Sequence, residues 1–236
     1  MTDRPPHSLL QPRTVVLVAM ILAAVAVGAV SRLLPYAVPS DSPFYLYIWN
    51  FTPVFALALF AGACLANRWA AFLVPLLAMA LSDAVLHATG LAPVDVAGRA
   101  VVYGFFALTV GMGFWLRKRR SALAVGGVAV GNALLFYLIT NFQVWLTSPD
   151  APLPVNAPRD WLALFWWSFT PEAFGAVQGY PKTWDGLVAC FTLALPFLRN
   201  MVLGNLVYCA ALFGGLALVE KGFPAVRDEA LATTTP

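Results

Sequence analysis

The chain is dominated by apolar runs that are long enough for a helix to cross a lipid bilayer. A hydrocarbon core about 30 Å thick needs roughly 20 apolar residues in a helix, because each helical residue rises about 1.5 Å. The run over 14–34 meets this length, and comparable runs recur along the 236 residues. Since a helix satisfies its own backbone hydrogen bonds in lipid, the pattern predicts membrane-spanning α-helices.

The composition agrees with a chain whose surface faces lipid. Apolar residues make up 61% of the sequence and charged residues 11%. Soluble domains carry roughly 45–50% apolar and about 25% charged residues, so one soluble core cannot hide this surplus. We therefore expect an all-α, polytopic helical bundle in the membrane, without a soluble catalytic domain.

Six spans are expected, with both chain ends in the cytoplasm. Pro35 and Pro39 are expected to end the first span, because proline disrupts a helix interior. Segment 1–13 is expected to be a cytoplasmic N-terminal segment, and 221–236 a disordered cytoplasmic tail. The predicted spans are 14–34, 48–66, 69–89, 97–116, 122–146 and 199–219.

The part of the chain before the last span is less regular. The outer loop 147–182 is rich in proline and holds a tryptophan cluster, for which we expect a short interfacial helix. The apolar stretch 184–219 would extend about 54 Å as one helix, too long for a single span. Pro196 and Arg199 interrupt it. They favour a short interfacial or re-entrant helix over 184–197, and one long kinked helix is the alternative.

The distribution of positive charge sets the expected orientation. Lysine and arginine in short loops concentrate on the cytoplasmic side of a membrane. With the N-terminus inside, nine of these residues fall on cytoplasmic segments and four on outer segments. Seven spans would move Lys221 and Arg227 outside and weaken this bias. We therefore expect a multi-pass protein of a bacterial inner membrane. The cytoplasmic set is Arg4, Arg13, Arg68, Arg117, Lys118, Arg119, Arg120, Lys221 and Arg227, and the outer set is Arg32, Arg99, Arg159 and Lys182.

Polar side chains collect near the outer ends of the predicted spans. Polar groups in hydrocarbon are costly, so each of them is a candidate for function. Asp83 and His87 are four residues apart and share a helical face. We expect an outward-facing pocket beneath the aromatic loop, with Arg199 supplying fixed charge. Its candidate substrate-binding residues are Asn50, Asp83, His87, Asn141, Trp145, Trp184, Arg199 and Asn200.

Two alternatives to this pocket stay open. Helix ends are in general more polar than helix middles, which accounts for Asn50 and Asp95 without any ligand. Asp83 has a structural alternative, a hydrogen bond to a neighbouring helix or a pair with Arg99 or Arg199.

Small residues at four-residue spacing in the first span predict close helix packing. Such spacings let two backbones approach each other without bulky side chains between them. Ala19 with Ala23, and Ala24 with Gly28, follow this pattern and form a candidate docking face for a partner protein.

Motifs of catalysis are missing from the sequence. HExxH, GxSxG and GxxxxGK[ST] do not occur, and the three cysteines match no metal-binding spacing. We expect no metal, no cofactor and no nucleic-acid partner. A membrane-embedded enzyme would have to rely on His87 with carboxylates, because His7 is the only other histidine.

Several sequence blocks resemble an uncharacterised family of bacterial membrane proteins of about this length. This resemblance implies a six-helix membrane protein but no function. The blocks are Asn50-Phe-Thr-Pro-Val, Ala56-Leu-Ala-Leu-Phe-Ala-Gly-Ala63, Leu73-Val-Pro-Leu-Leu-Ala with Leu81-Ser-Asp83, Leu138-Ile-Thr-Asn-Phe-Gln-Val-Trp145, Tyr180-Pro-Lys-Thr, and Ala194-Leu-Pro-Phe-Leu-Arg-Asn200 with Leu203-Gly-Asn-Leu206.

The layout also resembles, more distantly, the substrate-binding S components of energy-coupling-factor vitamin transporters. Their last helix often opens with a Leu-Pro-Phe-Asn-like segment, and here two residues separate Leu195-Pro-Phe from Asn200. The resemblance implies an outer substrate pocket, a first helix that docks a transporter membrane subunit, and ATPases on other chains. The expected function is a substrate-binding subunit for uptake of a small, vitamin-like molecule. A structural or assembly subunit is the alternative.

Overall fold

Helices make up the whole regular structure of the part of the chain that the structure describes. The computed structural model describes residues 11–39, 42, 44–91, 96–173 and 176–227, except the side chains of residues 96 and 97. In chain order the helices are α1 (Pro12–Ala37), α2 (Tyr45–Ile48), α3 (Val54–Cys64), α4 (Arg68–Ala88), α5 (Val96–Leu116), α6 (Ala122–Thr147), α7 (Trp161–Trp167), α8 (Trp184–Leu193), α9 (Leu195–Cys209) and α10 (Gly215–Gly222).

Five helices in the described residues are long and apolar enough to cross a membrane. They are α1, α4, α5, α6 and the helix Leu195–Gly222, in which a π-helical turn (Ala210–Gly214) joins α9 to α10. This confirms the expected all-α membrane bundle. The expected N-terminal residues 1–10, Asp95 and the tail from 228 onward lie outside the described residues.

The first span is longer than expected because Pro35 does not end it. Pro35 lies in the last turn of α1, where a proline removes only one late backbone hydrogen bond. The helix ends at Ala37, and Val38 is extended with ψ 129°. That conformation is typical of a residue that precedes a proline, here Pro39.

The second predicted span, 48–66, is not one helix. The short α2 is followed by an irregular segment, and only α3 is regular. Asn50 has a φ of 61°, in the left-handed region that asparagine tolerates better than most residues. The 11 residues of α3 rise about 16 Å, roughly half of a hydrocarbon core.

The half-length helix α3 is the centre of the bundle. Every residue from Val54 to Cys64 is buried, and α3 packs against α1, α4, α5 and α9. Its closest neighbour is α5, where two glycines meet. A Cβ on Gly62 would lie 2.4 Å from the carbonyl oxygen of Val110, and one on Gly113 would lie 2.5 Å from that of Leu59. The two backbones therefore touch because neither glycine has a side chain.

Basic side chains at one end of the bundle close the end of α3. Arg117 Nε donates to the carbonyl oxygen of Gly62 at 3.0 Å, and its Nη2 donates to that of Leu65 at 2.7 Å. Arg120 Nη2 donates to the carbonyl oxygen of Ala63 at 2.7 Å. The last carbonyls of a helix have no partners in the helix and carry partial negative charge, which these guanidinium groups offset. We call this end, marked by Arg13, Arg68 and Arg117–Arg120, the basic end.

Both described chain ends lie at the basic end. The N-terminal part of α1 meets the C-terminal part of the last helix through an ion pair between Arg13 and Glu220, at 2.6 Å. Arg227 Nε donates to the carbonyl oxygen of Glu220 at 2.9 Å.

The last apolar stretch is divided, as expected, into a short helix and a separate spanning helix, but the boundary lies at Ala194 rather than after 197. Between α8 and α9 only Ala194 is outside a helix, with φ and ψ of −91° and −3°. Pro196 is at the start of α9, where its missing N–H costs no helical hydrogen bond. The spanning part begins at Leu195 rather than at 199.

A folded loop covers the opposite end of the bundle. It contains α7, formed by the expected tryptophan cluster, and Asp160 caps the first turn of α7 by accepting from the N–H of Ala163 at 2.8 Å. Leu164 of α7 packs with Ala189 and Leu193 of α8 in a small apolar cluster. We call the loop 148–183 the cap, and this end of the bundle the capped end.

Candidate functional site

The candidate site residue Asp83 holds an ion cluster at the capped end. Its carboxylate pairs with two arginines, Arg32 of α1 through Oδ1 and Arg99 of α5 through Oδ2. Tyr103 also donates to Oδ2, at 3.0 Å. The structure thus selects Arg99 from the two expected arginine partners and adds Arg32, which the sequence placed at the outer end of the first span without a partner.

The cluster joins three helices around one buried carboxylate. The Asp83 side chain is 9% exposed, whereas those of Arg32 and Arg99 are 22% and 27% exposed. A buried carboxylate without partners would be very unfavourable, so the three donors make it tolerable. We call Arg32, Asp83, Arg99 and Tyr103 the Asp83 cluster.

A second polar group forms at the start of α9. Arg199 donates through Nε and Nη2 to Asn200 Oδ1, at 3.1 and 3.0 Å. Asn200 is 2% exposed, and its Nδ2 donates to the carbonyl oxygens of Leu46 and Trp49, the latter at 3.0 Å. Asn200 therefore ties α2 to the last helix and orients Arg199.

Aromatic rings frame the Arg199 guanidinium. Its Cζ lies 4.4 Å from the ring centre of Tyr47 and 5.3 Å from that of Phe169. Such cation–π contacts hold a guanidinium in place without neutralising it. In the described part of the chain Arg199 has no carboxylate within ion-pairing distance.

A cavity of about 140 Å³ lies beneath the cap, and its lining includes Phe197, two residues before Arg199, but not Arg199 itself. Leu46 and Ser168, which line it, are chain neighbours of the two residues whose rings contact Arg199, Tyr47 and Phe169. Tyr180 is one of the residues that line the cavity, and burial raises the pKa of its phenol. The lining residues are Leu46, Ser168, Ala173, Val177, Tyr180, Leu193 and Phe197.

Three further candidates lie between α6, the cap and α8, away from Arg199. They are Asn141, Trp145 and Trp184. Asn141 Nδ2 donates to the carbonyl oxygen of Tyr137 in its own helix, at 2.7 Å. Trp145 Nε1 donates to the carbonyl oxygen of Pro181 in the cap, at 3.0 Å. Trp184 is 75% exposed and borders an open, largely apolar groove of about 320 Å³ on α6 and α8. These contacts are structural, and the groove offers a solute few polar groups.

The remaining two candidates are exposed. Asn50 lies in the turn between α2 and α3, where its positive φ explains the choice of asparagine. His87 is one turn beyond Asp83 on α4, and its side chain is exposed. The structure therefore does not bring the eight expected residues into one pocket.

The small residues of α1 divide between two faces. Ala24 and Gly28 are buried, and a Cβ on Gly28 would lie 3.4 Å from Val54 of α3. Ala19 and Ala23 are exposed. Only Ala19 and Ala23 are therefore available to a partner protein.

Sequence reasoning missed a polar layer inside the bundle. Thr109 Oγ1 donates to Asn132 Oδ1 at 2.8 Å, and Asn205 Nδ2 donates to the carbonyl oxygen of Ala129 at 3.1 Å. These bonds link α5 to α6 and α6 to α9 between residues that are at most 1% exposed. The signal was present in the sequence, since both asparagines lie inside apolar runs.

Comparison with known protein families identifies one match. A family model for a family of unknown function, DUF6580, matches residues 8–226. The chain belongs to this family. No curated protein and no solved structure matches this DUF6580 chain. The match agrees with the expected membership of an uncharacterised family. Within the described residues no three His, Cys, Asp or Glu side chains are grouped to hold a metal ion.

Proposed function

We propose that the protein binds a small, water-soluble solute at the capped end, as the substrate-binding subunit of an uptake transporter. The observation that carries this proposal is Arg199, a guanidinium with aromatic neighbours and no described carboxylate partner, which is two residues from Phe197 in the wall of a cavity under the cap. A charged side chain near the membrane is costly, so an arginine with no counter-ion among the described residues is suited to meet a ligand.

The chemistry of the site favours a small solute with a carboxylate or carbonyl group. A guanidinium offers five N–H donors, and here Asn200 Oδ1 occupies two of the three nitrogens. The cavity of about 140 Å³ is below the several hundred Å³ of drug-sized sites. A vitamin-sized molecule would therefore need the cap to move.

The architecture supports a role in uptake. Placing the basic end in the cytoplasm follows the positive-inside rule and turns the cavity outward. The exposed pair Ala19 and Ala23 on α1 offers a contact for a transporter membrane subunit, as in the S components that the sequence resembles. In this proposal ATPases are separate chains, and the protein is a binder, not an enzyme.

A thermal-shift screen of the purified protein against water-soluble vitamins and small carboxylates tests the proposal. We expect at least one compound to raise the midpoint of unfolding, because a ligand that binds only the folded state stabilises it. Arg199→Ala should abolish that shift. Arg159→Ala is the matched control. Arg159 is an exposed arginine of the cap, and its replacement removes the same charge.

The opposite result would favour the structural alternative. If the full panel leaves the midpoint unchanged, or if Arg199→Ala responds like wild type, Arg199 does not bind a solute. Co-purification of stable protein partners without dependence on any small molecule would then indicate an assembly subunit.

A further inference from the structure

We propose that the Asp83 cluster binds a phosphate group at the capped end, at a site separate from the Arg199 cavity. The cluster contains two guanidinium groups, one carboxylate and one phenol. Its formal charge is therefore +1. The proposal does not depend on the solute-binding function of Arg199.

The imbalance of charge is the first argument. The Asp83 carboxylate is almost fully buried, and both arginines direct a nitrogen toward it. One carboxylate can neutralise only one guanidinium, so one positive charge remains in a partly buried region. Excess charge in such a region is unfavourable unless a counter-ion joins it.

Unused donors are the second argument. Arg32 Nε is buried and has no hydrogen-bond acceptor among the described residues. Arg32 uses Nη2 and Arg99 uses Nη1 toward Asp83, which leaves further N–H groups on each guanidinium. About a quarter of each arginine side chain is exposed, so the cluster is open to an anion at its surface, with Arg32 Nε deeper inside.

The geometry suits a phosphate better than a single carboxylate. The two guanidinium groups come from different helices, α1 and α5, and converge on α4. Arginine binds phosphate with paired N–H donors, and a phosphate presents several anionic oxygens to two such groups at once.

The depth of the cluster allows two sources of phosphate. Arg32 and Asp83 each precede the end of their helix by five residues, or about 7.5 Å along the axis. This is near the level of lipid headgroups, which border the hydrocarbon core. A phospholipid headgroup and a free phosphate share the chemistry that the cluster recognises.

The test measures thermal unfolding of the full chain in nonionic detergent. Three additions are compared: phosphatidylglycerol, a phosphate-free galactosyl diacylglycerol, and inorganic phosphate. We expect phosphatidylglycerol to raise the midpoint of wild type by about 5 °C at a hundredfold excess over its Kd, and the galactolipid not to. A similar rise with inorganic phosphate would identify free phosphate as a ligand, and its absence would identify the lipid.

Two variants separate binding from a purely structural ion cluster. Arg99→Gln leaves one arginine and one carboxylate, so the cluster becomes neutral and should lose the phosphate-dependent shift. Asp83→Asn raises the formal charge to +2, so this variant should be less stable than wild type without phosphate and should gain more from it. Arg159→Gln is the control for lost positive charge at the same end.

Two outcomes would overturn the proposal. One is a wild type that responds equally to phosphatidylglycerol and to the galactolipid and is insensitive to inorganic phosphate. The other is an Arg99→Gln variant that keeps the full shift. If both variants fail to fold, native mass spectrometry of wild type tests the proposal instead. Retention of the galactolipid as readily as phosphatidylglycerol would exclude a phosphate site.

Discussion

At the scale of single residues, the tightest packing in the molecule depends on two glycines. Gly62 of α3 and Gly113 of α5 let the two helix backbones touch, with a hypothetical Cβ on Gly113 only 2.9 Å from Gly62 Cα. These atoms belong to backbones, so they cannot move aside as the end of a flexible side chain would. By contrast, a Cβ on Gly111 would meet nothing within 4 Å.

Gly113→Ala should therefore destabilise the protein, whereas Gly111→Ala should not. Overpacking of a close contact costs about 1–3 kcal/mol. Replacing glycine by alanine in an open part of a helix gains up to about 1 kcal/mol. Thermal unfolding of both variants in detergent checks this, and equal midpoints would show that α3 and α5 do not touch at Gly113.

Asn50 gives a second prediction at this scale. Its φ of 61° costs a non-glycine residue about 1–2 kcal/mol, most for β-branched side chains. Asn50→Gly should keep or raise the midpoint of unfolding, and Asn50→Val should lower it. If a solute is found, Asn50→Gly should also bind it normally. Loss of binding in a stable Asn50→Gly variant would instead show that the side chain contacts the solute.

Single residues also show how far the candidate site could be predicted from the sequence. Asp83 stood out because a carboxylate inside an apolar run needs a partner. Tyr103 was predictable in principle, since it follows Arg99 by four residues and so shares its helical face. Arg32 was missed because Pro35 was expected to end the helix just after it. Tyr47 and Phe169 are far from Arg199 in the sequence, and only the fold brings them together.

At the scale of elements, hydropathy identified the spans that face lipid but not the nature of α3. A helix buried among other helices and a helix that faces lipid are equally apolar, so their sequences look alike. The difference is in length, which Asn50 and Pro53 reduce by interrupting the run. The break near Pro196 was expected, but its position was not, because a proline in the first turn of a helix marks the start of that helix.

The capping of α3 leads to a prediction about the basic run. Arg117→Ala removes two charged hydrogen bonds to carbonyls at the end of α3. Hydrogen bonds to charged groups are worth about 1.5–3 kcal/mol each, so we expect a clear loss of stability. Arg119→Ala is the matched control, because Arg119 is exposed and only stacks on Trp115 at 4.6 Å. Thermal unfolding should separate the two variants. Equal midpoints would mean that the basic run Arg117–Arg120 only sets the orientation of the protein in the membrane.

At the scale of the whole molecule, function and orientation are linked. The Asp83 cluster, Arg199 and the cavity all lie toward the capped end, and the arginines that close α3 lie at the basic end. A substrate-binding subunit for uptake needs the capped end outside. The two ends differ in a way that chemical labelling can detect.

Single cysteines introduced at each end should therefore react from opposite sides of the membrane. The native Cys64, Cys190 and Cys209 are buried and can be replaced by alanine. Val155→Cys in the cap should react with a membrane-impermeant maleimide in intact spheroplasts, because Val155 is fully exposed. Lys118→Cys should react only after lysis, because the positive-inside rule places the basic run in the cytoplasm. Reaction of Lys118→Cys in intact spheroplasts would show that the basic end is outside and that the cavity faces the cytoplasm. Binding of an external solute at Arg199 would then be impossible.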